Sequence, residues 1–150
     1  MIIGIVKEVQ KHESRVSITP EIVKKLLKNE HSVIIESGSG DKSFYSDSLY
    51  KNAGATIVES SADVFKESDI LFKVNPPNEN EIEQIKSNST VVSFFQIKDE
   101  INNIPLYVNN KLSILSMSHV PRTTLAQNMD ALSSQSNIAG YKATIIGADH

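Results

Sequence analysis

Six short apolar, β-rich runs recur along the chain, at Ile2 to Val6, Ser32 to Ile35, Thr56 to Val58, Ile70 to Val74, Thr90 to Phe94 and Leu112 to Leu115, with helix-like stretches between them. Most are continuous rather than alternating in polarity, the pattern of strands buried on both faces of a parallel sheet. Parallel neighbours need a crossover, and a helix between each pair supplies one. The pattern predicts an α/β fold: a doubly wound, mostly parallel sheet of about six strands with helices on both faces.

The best-signalled helix runs from Thr19 to Asn29, with Thr19 placed to cap, Pro20 at the first helical position, and an apolar stripe of Ile22, Val23, Leu26 and Leu27. Shorter helical stretches at Ser46 to Asn52, Ser61 to Glu67 and Glu79 to Lys86 each open with serine, aspartate or glutamate near the first turn.

Beyond Pro121 the character changes. Thr123 to Ile146 holds no proline and only Asp130 and Lys142 as charges, which predicts one long C-terminal helix. Leu125, Met129, Leu132 and Ile138 fall on one side of it, while Gln127, Asp130, Ser133 or Ser134, Asn137 and Tyr141 follow three- and four-residue steps on another. A solvated helix face normally carries lysine and glutamate, because they favour helix and stay wet; serine, asparagine and aspartate compete with helical hydrogen bonding. The nearly uncharged polar stripe is therefore a candidate binding face.

Several function classes drop out. With 150 residues, 39% of them hydrophobic, the chain can build one buried core. Its formal charge of -3, with the two signs interspersed, offers no basic face to nucleic acid. The absence of cysteine removes disulfides, thiolate nucleophiles and thiol redox control. No apolar run approaches the roughly 20 residues of a membrane helix, and Ile2 to Val6 lacks the length and basic flank of a signal peptide. The chain is expected to be a soluble domain, and Asn88-Ser89-Thr90, a formal glycosylation acceptor, has no export signal to give it meaning.

Among candidate sites, Gly38-Ser39-Gly40 follows an apolar strand as a dinucleotide loop would, and Glu59 ends a later strand near the spacing of a ribose-binding acid. Ser43, however, stands where the third glycine should allow close helix packing, so a plain glycine turn fits better. Arg15 lies in the polar loop after the first strand, where a guanidinium can reach across the carboxyl ends of the strands or simply face solvent. Lys73, before Asn75-Pro76-Pro77, points toward the same crevice or belongs to an edge strand. His12, His31, His119 and His150 show no metal spacing, so no metal site is expected. Neither a nucleophile elbow nor a carboxylate pair suggests hydrolysis.

Lys7-Glu8, the run Glu13 to Glu21 (ESRVSITPE), Phe44 to Ala55 (FYSDSLYKNAGA), Asp69 to Pro77 (DILFKVNPP), and Pro121-Arg122 with Ala126 to Lys142 (AQNMDALSSQSNIAGYK) together resemble the alanine dehydrogenase and transhydrogenase N-terminal domain family. The similarity runs through essentially the whole chain, and the last segment resembles the transhydrogenase branch. The resemblance implies a domain over residues 1–150, with 123–146 the helix leading to a Rossmann NAD-binding domain not contained in these residues. It implies hydride transfer between NAD(H) and NADP(H) coupled to proton translocation. NAD(H) would lie between the two domains and NADP(H) on a partner component.

In the transhydrogenase branch the arginine after the proline, with a glutamine, an aspartate and a serine, arranges the nicotinamide end of the nucleotide; here these positions are Arg122, Gln127, Asp130 and Ser133. A homodimer, a membrane proton-channel component and an NADP(H)-binding component are the implied partners. The implied location is peripheral to the inner membrane, on its cytoplasmic or mitochondrial-matrix side.

The chain departs from the family at Leu125, where many members carry a second basic residue, and at Gln96, where the alanine dehydrogenases carry a histidine. Gln96 cannot titrate and so cannot move a proton as imidazole does. Arg15 and Lys73 match residues that hold pyruvate in that branch and support an alternative reading as an amino-acid dehydrogenase. A third reading takes the 150 residues alone as a scaffold or dimerisation module with little NAD(H) affinity and no activity of its own.

Overall fold

A computed structural model describes residues 1–121 and 123–149. Six strands, β1 (Ile2–Ile5), β2 (Ser32–Glu36), β3 (Thr56–Val58), β4 (Ile70–Phe72), β5 (Thr90–Ser93) and β6 (Ser113–Ser116), form one sheet in the order β3-β2-β1-β4-β5-β6. Every pairing is parallel, with Ile3 opposite both Val33 and Ile70 and Leu71 opposite Val91. The chain winds outward from β1 to β3, then returns to the other side of β1 for β4. The order therefore reverses between β1 and β4, where ligands of open α/β sheets bind at the strand carboxyl ends.

Side chains alternate across the sheet, so the continuous apolar runs build a buried cluster on each face, where chain length alone suggested a single core. One face buries Ile3, Ile5, Val33 and Ile35 under α1 (Pro20–Lys28) and α2 (Asp47–Ala53), with Val23 and Tyr50 fully buried between. The other buries Ile34, Leu71 and Val91 under α3 (Ser61–Glu67), α4 (Glu79–Gln84) and α6 (Ile104–Asn109). Each fully buried aliphatic side chain stabilises the fold by about 1.5–3 kcal/mol. Gly4 is required because any Cβ there would collide with the Ser68 hydroxyl and Val64 of α3. Gly54, at φ 100°, closes α2 in the left-handed conformation that L side chains avoid.

Two features differ from the sequence expectation. Between β5 and β6 lie a single turn, α5 (Ile97–Glu100), and α6, both too short to show a helical period. The expected helix over 123–146 is not continuous: Thr124–Met129 is a 3-10 helix, Asp130 leaves helical geometry at φ -78°, ψ 76°, and α7 runs from Ala131 to Asp149. The cause is local, since Asp130 accepts the Ser133 N–H at 2.9 Å and so starts a new helix as its cap. Thr19, by contrast, makes no side-chain cap to α1.

Candidate functional site

A cleft of about 350 Å³ opens over the carboxyl ends of β4 and β5, lined by Arg15, Phe72, Phe94, Met117, Ala131 and Gln135 among others. Its walls are largely apolar, with Arg15 and Gln135 as convergent polar groups, the usual make-up of a small-molecule site.

The loop after β1 is tied down from several sides. The Ser17 hydroxyl donates to Phe72 O at 3.0 Å and the Ser43 hydroxyl to Ser14 O at 2.5 Å. Glu8 accepts the backbone N–H of Val74 at 2.6 Å and both N–H groups of Asn75 at 3.2 Å, linking the loops after β1 and β4 across the point where the strand order reverses. Asn75 Nδ2 also donates to Glu13 at 3.0 Å. Glu13 in turn receives Arg15 Nε at 2.8 Å and Nη2 at 2.7 Å, a fork that fixes the guanidinium plane. This grip of Arg15, chiefly through its side-chain hydrogen bonds, lowers the Glu13 carboxyl to about 2. Arg15 Cζ stands 6.0 Å from the Phe94 ring centroid, and its side chain remains 45% exposed, so a ligand anion in the cleft can reach it.

Lys73 also borders the cleft, but its buried ammonium lies 2.6 Å from Glu81 Oε1. Glu81 in addition completes a capping box with Asn78 at the start of α4. Arg15 and Lys73 therefore do not converge as a pair of free cations. The Gly38-Ser39-Gly40 turn directs the Gly38 N–H to Asp47 Oδ1 at 2.8 Å and the Ser37 hydroxyl to Asp47 Oδ2 at 2.7 Å, using for α2 the amide a phosphate would need. Glu59 is exposed beyond β3.

Of the four residues given by the resemblance, Arg122 lies outside the described residues. Gln127 is exposed on the 3-10 helix. Asp130 and Ser133 form one unit: Asp130 Oδ1 takes the Ser133 N–H and Oδ2 takes its hydroxyl at 2.6 Å. This unit opens α7 beside Ala131 and Gln135, which line the cleft. Sequence reasoning missed Gln135 and Met117, whose types carry no chemical signal, and the Glu8–Asn75–Glu13 network, which only the fold assembles.

Fold and site together define a doubly wound α/β domain with a cleft at the strand ends and a long helix that begins beside it. The chain belongs to the alanine dehydrogenase/PNT N-terminal domain family, whose model matches residues 4–139. It is 40% identical over 148 residues to the NAD(P) transhydrogenase subunit alpha of Haemophilus influenzae, covering 99% of this chain and 28% of that protein. A transhydrogenase structure from Sinorhizobium meliloti superposes with a TM-score of 0.93 at 36% identity, covering 99% of this chain and 44% of that one. An alanine dehydrogenase of Staphylococcus saprophyticus is 31% identical over 149 residues, covering 99% of this chain and 39% of that protein. The chain thus spans well under half the length of these relatives.

Proposed function

We propose that this domain is part of the NAD(H)-binding subunit of a nicotinamide nucleotide transhydrogenase, and that its cleft receives the nicotinamide end of NAD(H). The observation that carries this reading is the Asp130–Ser133 unit at the start of α7, the helix whose Ala131 and Gln135 line the cleft. The greater identity to the transhydrogenase subunit than to the alanine dehydrogenase supports it.

A cleft of about 350 Å³ suits one ring end of a dinucleotide and leaves the rest to another surface. Nicotinamide supplies the hydride chemistry itself, so the protein is asked for position and exclusion of water, not for an acid or base. Phe72, Phe94, Met117 and Ala131 offer the apolar walls. Gln127 and Gln135 are amides able both to donate to and to accept from a carboxamide. The Ser133 hydroxyl donates its hydrogen bond to Asp130, which leaves the Ser133 oxygen as an acceptor for a ligand. Arg15 and Arg122 are the cations for ribose or phosphate oxygens.

In this reading α7 leads into a Rossmann domain that holds most of NAD(H), while NADP(H) sits on a partner component. Every described residue of α7 beyond Ala131 is exposed, including Ile138 at 63% and Tyr141 at 72%, as for a helix awaiting cover. The assembly would comprise two copies of the subunit, the NADP(H) component and a membrane proton channel, with this domain on the cytoplasmic or matrix side. Among the described residues no helix is long and apolar enough to cross a membrane.

Arg15 at the cleft favours a second reading, an alanine-type dehydrogenase in which it would hold the carboxylate of a 2-oxo acid. The Lys73 ammonium on Glu81 and the exposed Gln96 at the start of α5 weigh against it. The longest natural form of the polypeptide, with its membrane partners, should reduce an NAD analogue with NADPH at a rate that responds to an uncoupler. NADH oxidation driven by pyruvate and ammonia, without that transfer, would replace the first reading by the second.

A further inference from the structure

We infer that Ser116 and His119 are positioning residues that fix the Met117–His119 turn at the wall of the cleft, through a hydrogen-bonded relay running from Phe95 to Ser116 to His119. The kinetic consequence rests on the transhydrogenase reading; the relay rests on geometry alone.

Ser116 is the last residue of β6. Its hydroxyl donates to Phe95 O at 2.8 Å and also lies 2.8 Å from His119 Nδ1. A hydroxyl carries one proton, and a carbonyl can only accept it. The second contact is therefore His119 Nδ1–H donating to Ser116 Oγ. That sets the imidazole as its Nδ1–H tautomer.

His119 closes the 3-10 turn Met117–His119, and the relay staples that turn to the loop after β5, next to the Ser93 and Ser116 register pair. Met117 of the same turn lines the cleft, and α7 packs against the turn. Two residues after His119 the chain reaches Pro121, whose carbonyl accepts the Thr123 N–H at 2.9 Å, and Arg122 lies between them in sequence. The relay thus sets the wall of the cleft that Met117 forms. His119 is exposed, so packing does not explain an imidazole here.

The ring tautomer is read by long-range proton–nitrogen NMR on the full chain. The relay predicts the Nδ1–H pattern in the wild type and its loss in Ser116→Ala; an Nε2–H ring in the wild type overturns it. Rates in the longest natural form, with its partners, test the positioning role. Asparagine places an N–H near the position of Nδ1, whereas glutamine reaches that of Nε2. His119→Asn should stay within about twofold of wild type, while His119→Gln and Ser116→Ala should lose about tenfold in kcat with little change in KM for NAD(H), because misplacement slows transfer more than binding. Equal rates for the asparagine and glutamine variants at equal Tm overturn the positioning role. A wild type without transfer activity would instead sink the transhydrogenase reading, and the tautomer would still decide the relay.

Discussion

Asp130 holds Ser133 by both groups that Ser133 offers, the backbone N–H at 2.9 Å and the hydroxyl at 2.6 Å. One carboxylate thereby starts a 19-residue helix and fixes the hydroxyl of Ser133 in its first turn. Asparagine caps as well as aspartate does, whereas alanine costs about 1 kcal/mol of helix stability. Asp130→Asn should therefore keep helicity, measured by circular dichroism, and still slow hydride transfer in the full-length protein. Asp130→Ala should lose both, and an asparagine variant with wild-type transfer would leave Asp130 as a cap only.

Lys73 and Glu81 form a buried ion pair, so breaking it leaves an uncompensated charge. Lys73→Ala should cost about 3–5 kcal/mol in urea unfolding, and Lys73→Met combined with Glu81→Leu should recover most of that loss. If Lys73 is framework and not ligand, the stable double variant keeps its transfer rate. A stable double variant without transfer would make Lys73 a binding residue.

Glu13 is held at about 2 by Arg15, below its ordinary value of 4.5. The unfolded chain binds more protons at this site between those values, so stability rises with pH through that window. The contribution is present above 4.5 and is lost as pH falls toward about 2. Urea midpoints at about pH 5 and about pH 3 should therefore fall less in Glu13→Gln than in wild type. An identical fall in both would mean that the Glu13–Arg15 fork is not formed in solution.

Phe44 sits at φ 64° and the residue is 93% exposed, so the left-handed backbone is strained without compensating burial. Glycine relieves that strain at some cost in chain entropy, and Phe44→Gly should raise the unfolding free energy by up to about 1 kcal/mol. A lower urea midpoint would show that the ring has a partner in solution.

The strands were legible because burial on both faces forces continuous apolar runs, and Ser61–Glu67 and Thr56–Val58 fall where local signals put them. The break at Asp130 was encoded too, as an aspartate three residues before Ser133, but a stretch free of proline and nearly free of charge reads as unbroken helix. Arg15 was legible from its type and its place after β1. Its clamp by Glu13, and the engagement of Lys73 by Glu81 from the next helix, are tertiary facts that no local pattern carries. Gln135 enters the site only because α7 begins beside the cleft.

In the proposed complex the nicotinamide ring of NAD(H) lies in the cleft between β4, β5 and the start of α7. Nuclear Overhauser contacts from the nicotinamide protons of bound NADH to labelled methyl groups test it directly, in the longest natural form of the polypeptide. Contacts to the methyl groups of Met117 and Ala131 are expected, and saturable binding whose contacts reach neither methyl would contradict this placement of the ring.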